Sequence, residues 1–257
     1  MGIVNLSGDS FFSSSRTSRP SEALRRIDAL LGEGADCIDI GAASSRPGSV
    51  NPGPEEEWKR LEPVLKQLSG KDIPISIDTI WSEVIRRATD LVGPLTVNDI
   101  SAGAADPAML PLAGSLGLRY IAMHMRGTSA TMQTLTDYPE GVVRAVSSFF
   151  SAFARRARRF GIKNWVLDPG FGFAKTMQQN DELLRGMSVL CRHGRPLLVG
   201  VSRKSMIYKR FGISPEDSLP ATQVVQLRAL QEGADILRVH DVAEAARTVS
   251  LYRALSR

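Results

Sequence analysis

Two cysteines in 257 residues, Cys37 and Cys191, leave no disulfide framework and no spacing that would hold zinc. The three histidines, His124, His193 and His240, are scattered. No run approaches the ~20 apolar residues of a membrane span, so no membrane partner is expected. Met1-Gly2-Ile3-Val4-Asn5 carries no basic leader and reads as a strand, so the expected setting is the reducing cytoplasm. Cys37 sits in a strand-like run and reads as core. The turn Leu6-Ser7-Gly8-Asp9-Ser10 has one glycine, where a dinucleotide-binding sheet would carry several. The net charge of +5 is not gathered in a tail. Its densest group, Arg155-Arg156-Ala157-Arg158-Arg159, ends a predicted helix, where cations face the negative pole of the helix dipole. A solvated helix end is the simpler account, and no nucleic-acid partner is expected. The basic balance suits an anionic small substrate instead.

What is present is alternation. Short β-branched runs take turns with longer segments of helical period. The strand candidates are Gly2–Leu6, Cys37–Gly41, Ile75–Asp78, Leu95–Asn98, Tyr120–His124, Trp165–Asp168, Leu197–Val201 and Ile236–Val239. Helices are expected at Ser21–Glu33, Pro54–Leu68, Ser82–Leu91, Pro107–Leu116, Glu140–Phe160, Gln179–Leu190, Pro220–Gln231 and Ala243–Ala254. Gly34, Gly117, Gly161 and Gly233 fit the left-handed position after a last helical turn. Continuous apolar strands alternating with helices imply a parallel sheet covered by helices. Eight such units at this length predict a TIM (β/α)8 barrel, one α/β domain over residues 1–257. An open doubly wound sheet is the alternative, weakened by the missing glycine-rich turn.

Polar residues end the apolar runs. Asp78, Asn98 and Asp168 close three different strands, so a barrel would aim all three into one mouth. Carboxylates and a carboxamide offer the acceptors and donors that an amino-pyrimidinone edge requires. Rim salt bridges or helix capping would also account for them, most readily for Asp78. Lys204, Arg238 and His240 follow strands seven and eight, the usual phosphate corner of this fold. Arginine brings a two-pronged fork and histidine a further donor. The turn Asp168-Pro169-Gly170-Phe171-Gly172-Phe173 is either a packed glycine turn or an aromatic wall for a flat substrate.

Taken together, MGIVNLSGDSFF, DIGAASSRPG, SIDT, VNDISAG, MHMRGT, DPGFGFAKT, GVSRKS and RVHDV resemble the dihydropteroate synthases, the sulfonamide-inhibited enzymes of folate biosynthesis. The pieces occur in that family's order from residue 1 to 242. The resemblance implies a TIM barrel that joins 6-hydroxymethyl-7,8-dihydropterin pyrophosphate to 4-aminobenzoate and releases pyrophosphate, with Mg2+ present. It implies that Asp78, Asn98, Asp168 and Lys204 hold the pterin, Arg238 and His240 the pyrophosphate, and Asn5 the magnesium. Ser45, Arg46 and Pro47, with Phe173 and Ser205, would frame the aminobenzoate. A homodimer is the family expectation. The chain departs from the family pattern at Ser13, where an aspartate is usual, at Ala42-Ala43-Ser44-Ser45, which lacks a glutamate, and at Ala174, which replaces a common glycine. Two other functions compete: a corrinoid-type pterin methyltransferase, which has no pyrophosphate to hold, and a pterin-binding protein without chemistry.

Overall fold

The computed structural model describes residues 1–6, 20–44, 48–49 and 51–256. Its strands are β1 (Gly2–Asn5), β2 (Ile38–Gly41), β3 (Ile75–Asp78), β4 (Thr96–Asp99), β5 (Arg119–Met123), β6 (Trp165–Asp168), β7 (Leu198–Val199) and β8 (Ile236–Leu237). The helices between and after them are α1 (Pro20–Gly32), α2 (Pro54–Leu68), α3 (Ser82–Val92), α4 (Met109–Ser115), α5 (Val142–Arg159), α6 (Met177–Arg185), α7 (Ser205–Phe211), α8 (Leu219–Gln231) and α9 (Val242–Leu255). β1 to β6 form one parallel sheet in sequence order, and β7 pairs with β8. Single bridges, Leu167 with Leu197 and Gly2 with Val239, join the two pieces. The ring therefore closes into the expected eight-stranded barrel.

Register and side-chain alternation set what faces where. Asp39 lies beside Ser76, and Asp78 beside Asn98. Ile38, Ile40 and Ile77 flank these polar residues and join the large core beneath the helices. A separate small cluster of Ile121, Val166 and Leu198, with Met1 and Ile236 against it, fills the barrel below the polar layer. Tyr120 points outward, stacks on Phe153 at 5.6 Å and gives its hydroxyl to the buried Asp99 at 2.5 Å.

Local chemistry explains the boundaries. α2 starts on Pro54, where the missing N–H costs nothing, and three glutamates follow in its first turn. α6 opens with a reciprocal capping box between Thr176 and Gln179. It stops at Gly186, and a 3-10 segment, Met187–His193, replaces the expected continuation to Leu190. Gly34, Gly117, Gly161 and Gly233 all take positive φ, as expected after a last turn. β7 and β8 are shorter than expected, because beyond two paired residues the chain is held by the single bridges. α7 was not foreseen. Its seven residues bury only Met206 and Ile207 and end at the left-handed Gly212, too short a pattern for periodicity to register. Cys37 lies just outside β2 and is half-buried, its thiol pushed up to about 12 by burial and then by Asp39.

Candidate active site

Four side chains at the carboxyl ends of four strands form one network. Arg238, just past β8, donates from Nε to Asp39 Oδ2 at 2.7 Å and from Nη2 to Asp78 Oδ2 at 2.7 Å. Asn98 Nδ2 meets both Asp39 oxygens, at 3.3 and 3.2 Å. Asp39 is completely buried, whereas the Asp78 side chain keeps 19 % of its surface open. Burial lifts the Asp78 carboxyl to about 7, against the opposing pull of Arg238. For Arg238 burial opposes the charge, but Asp39 and Asp78 overcome it and hold the guanidinium more firmly protonated than usual. Nη1 of Arg238 has no hydrogen-bond partner among the described residues, so one prong of the fork is free for a ligand.

The β6–α6 turn supplies the facing wall. Asp168 Oδ1 accepts from Gly170 N at 2.8 Å. Burial raises its pKa, and Lys204 opposes the rise. Gly170 is required here: its φ is +68°, and a Cβ would stand 2.1 Å from His124 O. Lys204 donates to Phe171 O at 2.5 Å and lies over the Phe173 ring at 4.7 Å. Burial brings its ammonium down to about 8, with Asp168 pulling the other way. Phe171 is buried and Phe173 is half-buried, so of the two aromatics Phe173 is the more exposed face.

His240 completes the opposite corner. Its backbone N–H reaches Ser202 Oγ at 3.2 Å, and its Nδ1 lies 3.0 Å from the same oxygen. The two contacts tie both the backbone and the ring of His240 to one hydroxyl. Burial, then Arg238, pushes the imidazole to about 3, so the ring is neutral. Arg203 is not part of this anion corner. It turns away at φ +53°, forks onto Asp241 through two bonds of 2.8 Å and holds Pro215 O and Glu216 O.

A cavity of about 510 Å³ opens over these groups. Asn5, Asp78, Phe173, Lys204, Arg238 and His240 stand in its wall, together with Ser205 at the first turn of α7. Asn98 and Asp168 are buried at the strand ends and lie outside that wall. Ser45, Arg46, Pro47 and Ser13 fall outside the described residues. Two residues of the site have no role assigned from the sequence. Asp39, in Ile38-Asp39-Ile40-Gly41, stands out there as a polar residue ending an apolar run, but with no partner or task. Lys175 lines the cavity from within the motif that contributes Asp168 and Phe173. His193, by contrast, bonds Ser147 away from the cavity. No group of three or more His, Cys, Asp or Glu that could hold a metal occurs among the described residues. Asn5 offers a single carboxamide oxygen beside Gly41, a donor set that suits a magnesium ion bound mainly by phosphate oxygens and water.

Residues 1–240 match the family described as pterin binding enzyme. The chain is 41 % identical over 261 residues to a dihydropteroate synthase of Synechocystis, covering 100 % of this chain and 90 % of that one. Yersinia pestis dihydropteroate synthase, solved as a sulfonamide drug complex, superimposes with a TM-score of 0.93 at 34 % identity, covering 99 % of this chain and 92 % of that one. The Xanthomonas albilineans enzyme, solved with 4-aminobenzoic acid, gives 0.89 at 34 % identity, with the same two coverages of 99 % and 92 %. With a family match and full-length relatives behind it, the chain belongs to the dihydropteroate synthase family of pterin binding enzymes.

Proposed function

We propose that this protein condenses 6-hydroxymethyl-7,8-dihydropterin pyrophosphate with 4-aminobenzoate, giving 7,8-dihydropteroate and pyrophosphate in folate biosynthesis. The observation that carries the reading is the network of Asp39, Asp78, Asn98 and Arg238, which puts hydrogen-bonding carboxylates and a half-free guanidinium at one mouth. Asp78, Asn98 and Asp168 would take the polar edge of the pterin, with Lys204 beside it. Arg238, through the prong not bonded to Asp39 or Asp78, and the neutral imidazole of His240 would take the pyrophosphate. Mg2+ would be held by Asn5 and the substrate's own phosphate oxygens, and would supply charge neutralisation there.

Charge placement then accounts for the chemistry. The bond from the pterin methylene to the pyrophosphate oxygen breaks as negative charge builds on the leaving group. Arg238 and His240, held by Asp39, Asp78 and Ser202, would stabilise that charge with little reorganisation. The dihydropterin ring stabilises the cation left behind. Phe173, Ser205, Ser45, Arg46 and Pro47 would hold the arylamine for attack, where positioning supplies much of the rate. Sulfonamides would compete for that position. No helix of the described residues is long and apolar enough to cross a membrane. We place the protein in the cytoplasm as a homodimer, supported by exposed Val224 and Leu227 on α8 and Leu251 and Leu255 on α9. Sedimentation measures the dimer. Pyrophosphate release that requires 4-aminobenzoate tests the activity, and pterin binding without release would favour the non-catalytic alternative.

A further inference from the structure

One cation in the cavity wall has no part in the reaction above. Lys175 is 5 % exposed, and its ammonium sits behind the β6–α6 turn. Nζ donates to Gly170 O and Phe173 O, each at 2.9 Å, and lies 3.1 Å from His124 Nδ1. His124 O lies further off, at 3.5 Å; the three nearer acceptors match the three hydrogens of an ammonium, and His124 then carries its own proton on Nε2. Burial, then Lys175, drives the His124 imidazole down to about 2, so that ring stays neutral. Phe149 fixes it edge-on at 5.1 Å. Burying a cation is costly, and a turn already shaped by Gly170, Gly172 and the Thr176 capping box needs none. What the ammonium does hold are two carbonyls of the turn: that of Phe173, whose ring lies under Lys204 in the cavity wall, and that of Gly170, whose N–H is bonded to Asp168 behind it.

We propose that Lys175 is a positioning residue for both substrates, its ammonium fixing the Phe173 wall and supplying charge that keeps Asp168 an acceptor for the pterin. The proposal rests on the substrate reading given above. The charges facing Asp168 are Lys204, Arg238 and Lys175, with Asp78 of like sign on the other side. Lys175 itself faces Asp168, Lys204 and His124, with Arg126 beyond the imidazole; burial brings it down to about 7 against the pull of Asp168, so its charge is full on the acid side and fades on the alkaline side. Burial pushes Asp168 toward its protonated form, and each of the three cations resists. Without Lys175 burial is opposed less, so Asp168 takes up its proton at a higher pH and stops accepting from the ligand.

The test is a calorimetric titration of wild type, Lys175→Met and Lys175→Arg with 6-hydroxymethyl pterin from about pH 5 to pH 9, read for the loss of affinity on the acid side. In Lys175→Met the midpoint of the acid-side loss of affinity should move up. Its affinity should fall roughly tenfold or more on the acid side, as for the loss of one charge-assisted contact, and much less on the alkaline side. The KM for 4-aminobenzoate should rise more than kcat falls, because the Phe173 wall loosens. Lys175→Arg should restore the midpoint. A loss equal at every pH, or an unmoved midpoint, overturns the proposal and leaves Lys175 a packing residue. Should Lys175→Met fail to fold, Lys175→Gln removes the charge while keeping a donor and is judged by the same midpoint. A wild type that binds no pterin overturns both this proposal and the substrate reading; a wild type that binds, with midpoints unmoved in the variants, overturns this proposal alone.

Discussion

Removing Arg238 should injure stability and ligand binding together, and in a pH-dependent way. In Arg238→Ala the fully buried Asp39 and the mostly buried Asp78 lose a guanidinium bonded to them at 2.6–2.7 Å. Taking one partner from a buried ion pair costs about 3–5 kcal/mol, because the remaining charge is left uncompensated. Burial already holds Asp78 near 7, and Arg238 is the strongest influence lowering it, so its removal sends the carboxyl higher still. A carboxyl raised above its unfolded value adds stability at low pH that is lost as pH rises through the folded pKa. The penalty of Arg238→Ala is therefore greatest near pH 8 and smaller near pH 5, where Asp78 takes up a proton. Urea unfolding at about those two pH values measures it. Binding should follow the same geometry. The pyrophosphate-bearing pterin loses charge-assisted bonds worth roughly 1.5–3 kcal/mol each. The free hydroxymethyl pterin should also weaken, by less, because Asp78 loses its anchor. A stability loss below about 1 kcal/mol at pH 8, or one larger at pH 5, refutes the ion-pair argument. Equal weakening of the two ligands refutes the pyrophosphate assignment.

Asp168→Asn exchanges an acceptor for a partial donor at the pterin edge and should cost about 1–3 kcal/mol in pterin affinity by titration. Gly170→Ala should destabilise by more than about 3 kcal/mol in thermal or urea unfolding, since it adds left-handed strain to a backbone clash with His124 O. Glu57 is fully buried on α2, and burial lifts it to about 7 from 4.5, more than the nearby Thr79 hydroxyl can offset. Glu57→Gln cannot ionise, so relative to wild type it should gain up to roughly 3 kcal/mol near pH 8, at about 1.4 kcal/mol per pKa unit. That gain should shrink as pH falls toward 4.5, so a gain that does not vary with pH would count against burial as its cause.

The barrel was legible in the chain because its evidence is local. Ile75–Asp78 and Trp165–Asp168 have the bounds expected from their apolar runs, and Pro54–Leu68 announces itself by a proline, three glutamates and a helical period. Gly34 and Gly233 mark the same helix-to-strand turn by needing positive φ. A polar residue at the end of an apolar run marks the polar mouth for a similar reason, since strand direction alone decides which end faces it. α7 escaped because seven residues with two buried side chains carry almost no period. Pairing across the barrel could not be read at all. Arg238 reads as a phosphate ligand, yet its first partners are Asp39 and Asp78, which lie 199 and 160 residues away in sequence. Arg203 and Lys204 are neighbours in one basic run, but backbone twist sends one to Asp241 and the other over Phe173. Asp39 acquires its role when strand pairing brings Asn98 within hydrogen-bonding reach, and Lys175 when it brings His124 there. Residue types and their spacing decide which elements form and which end of the barrel is polar. Which charge neutralises which, and so which donor remains free for a ligand, depends on distances of about 3 Å between strands far apart in the chain, and only the closed barrel sets those.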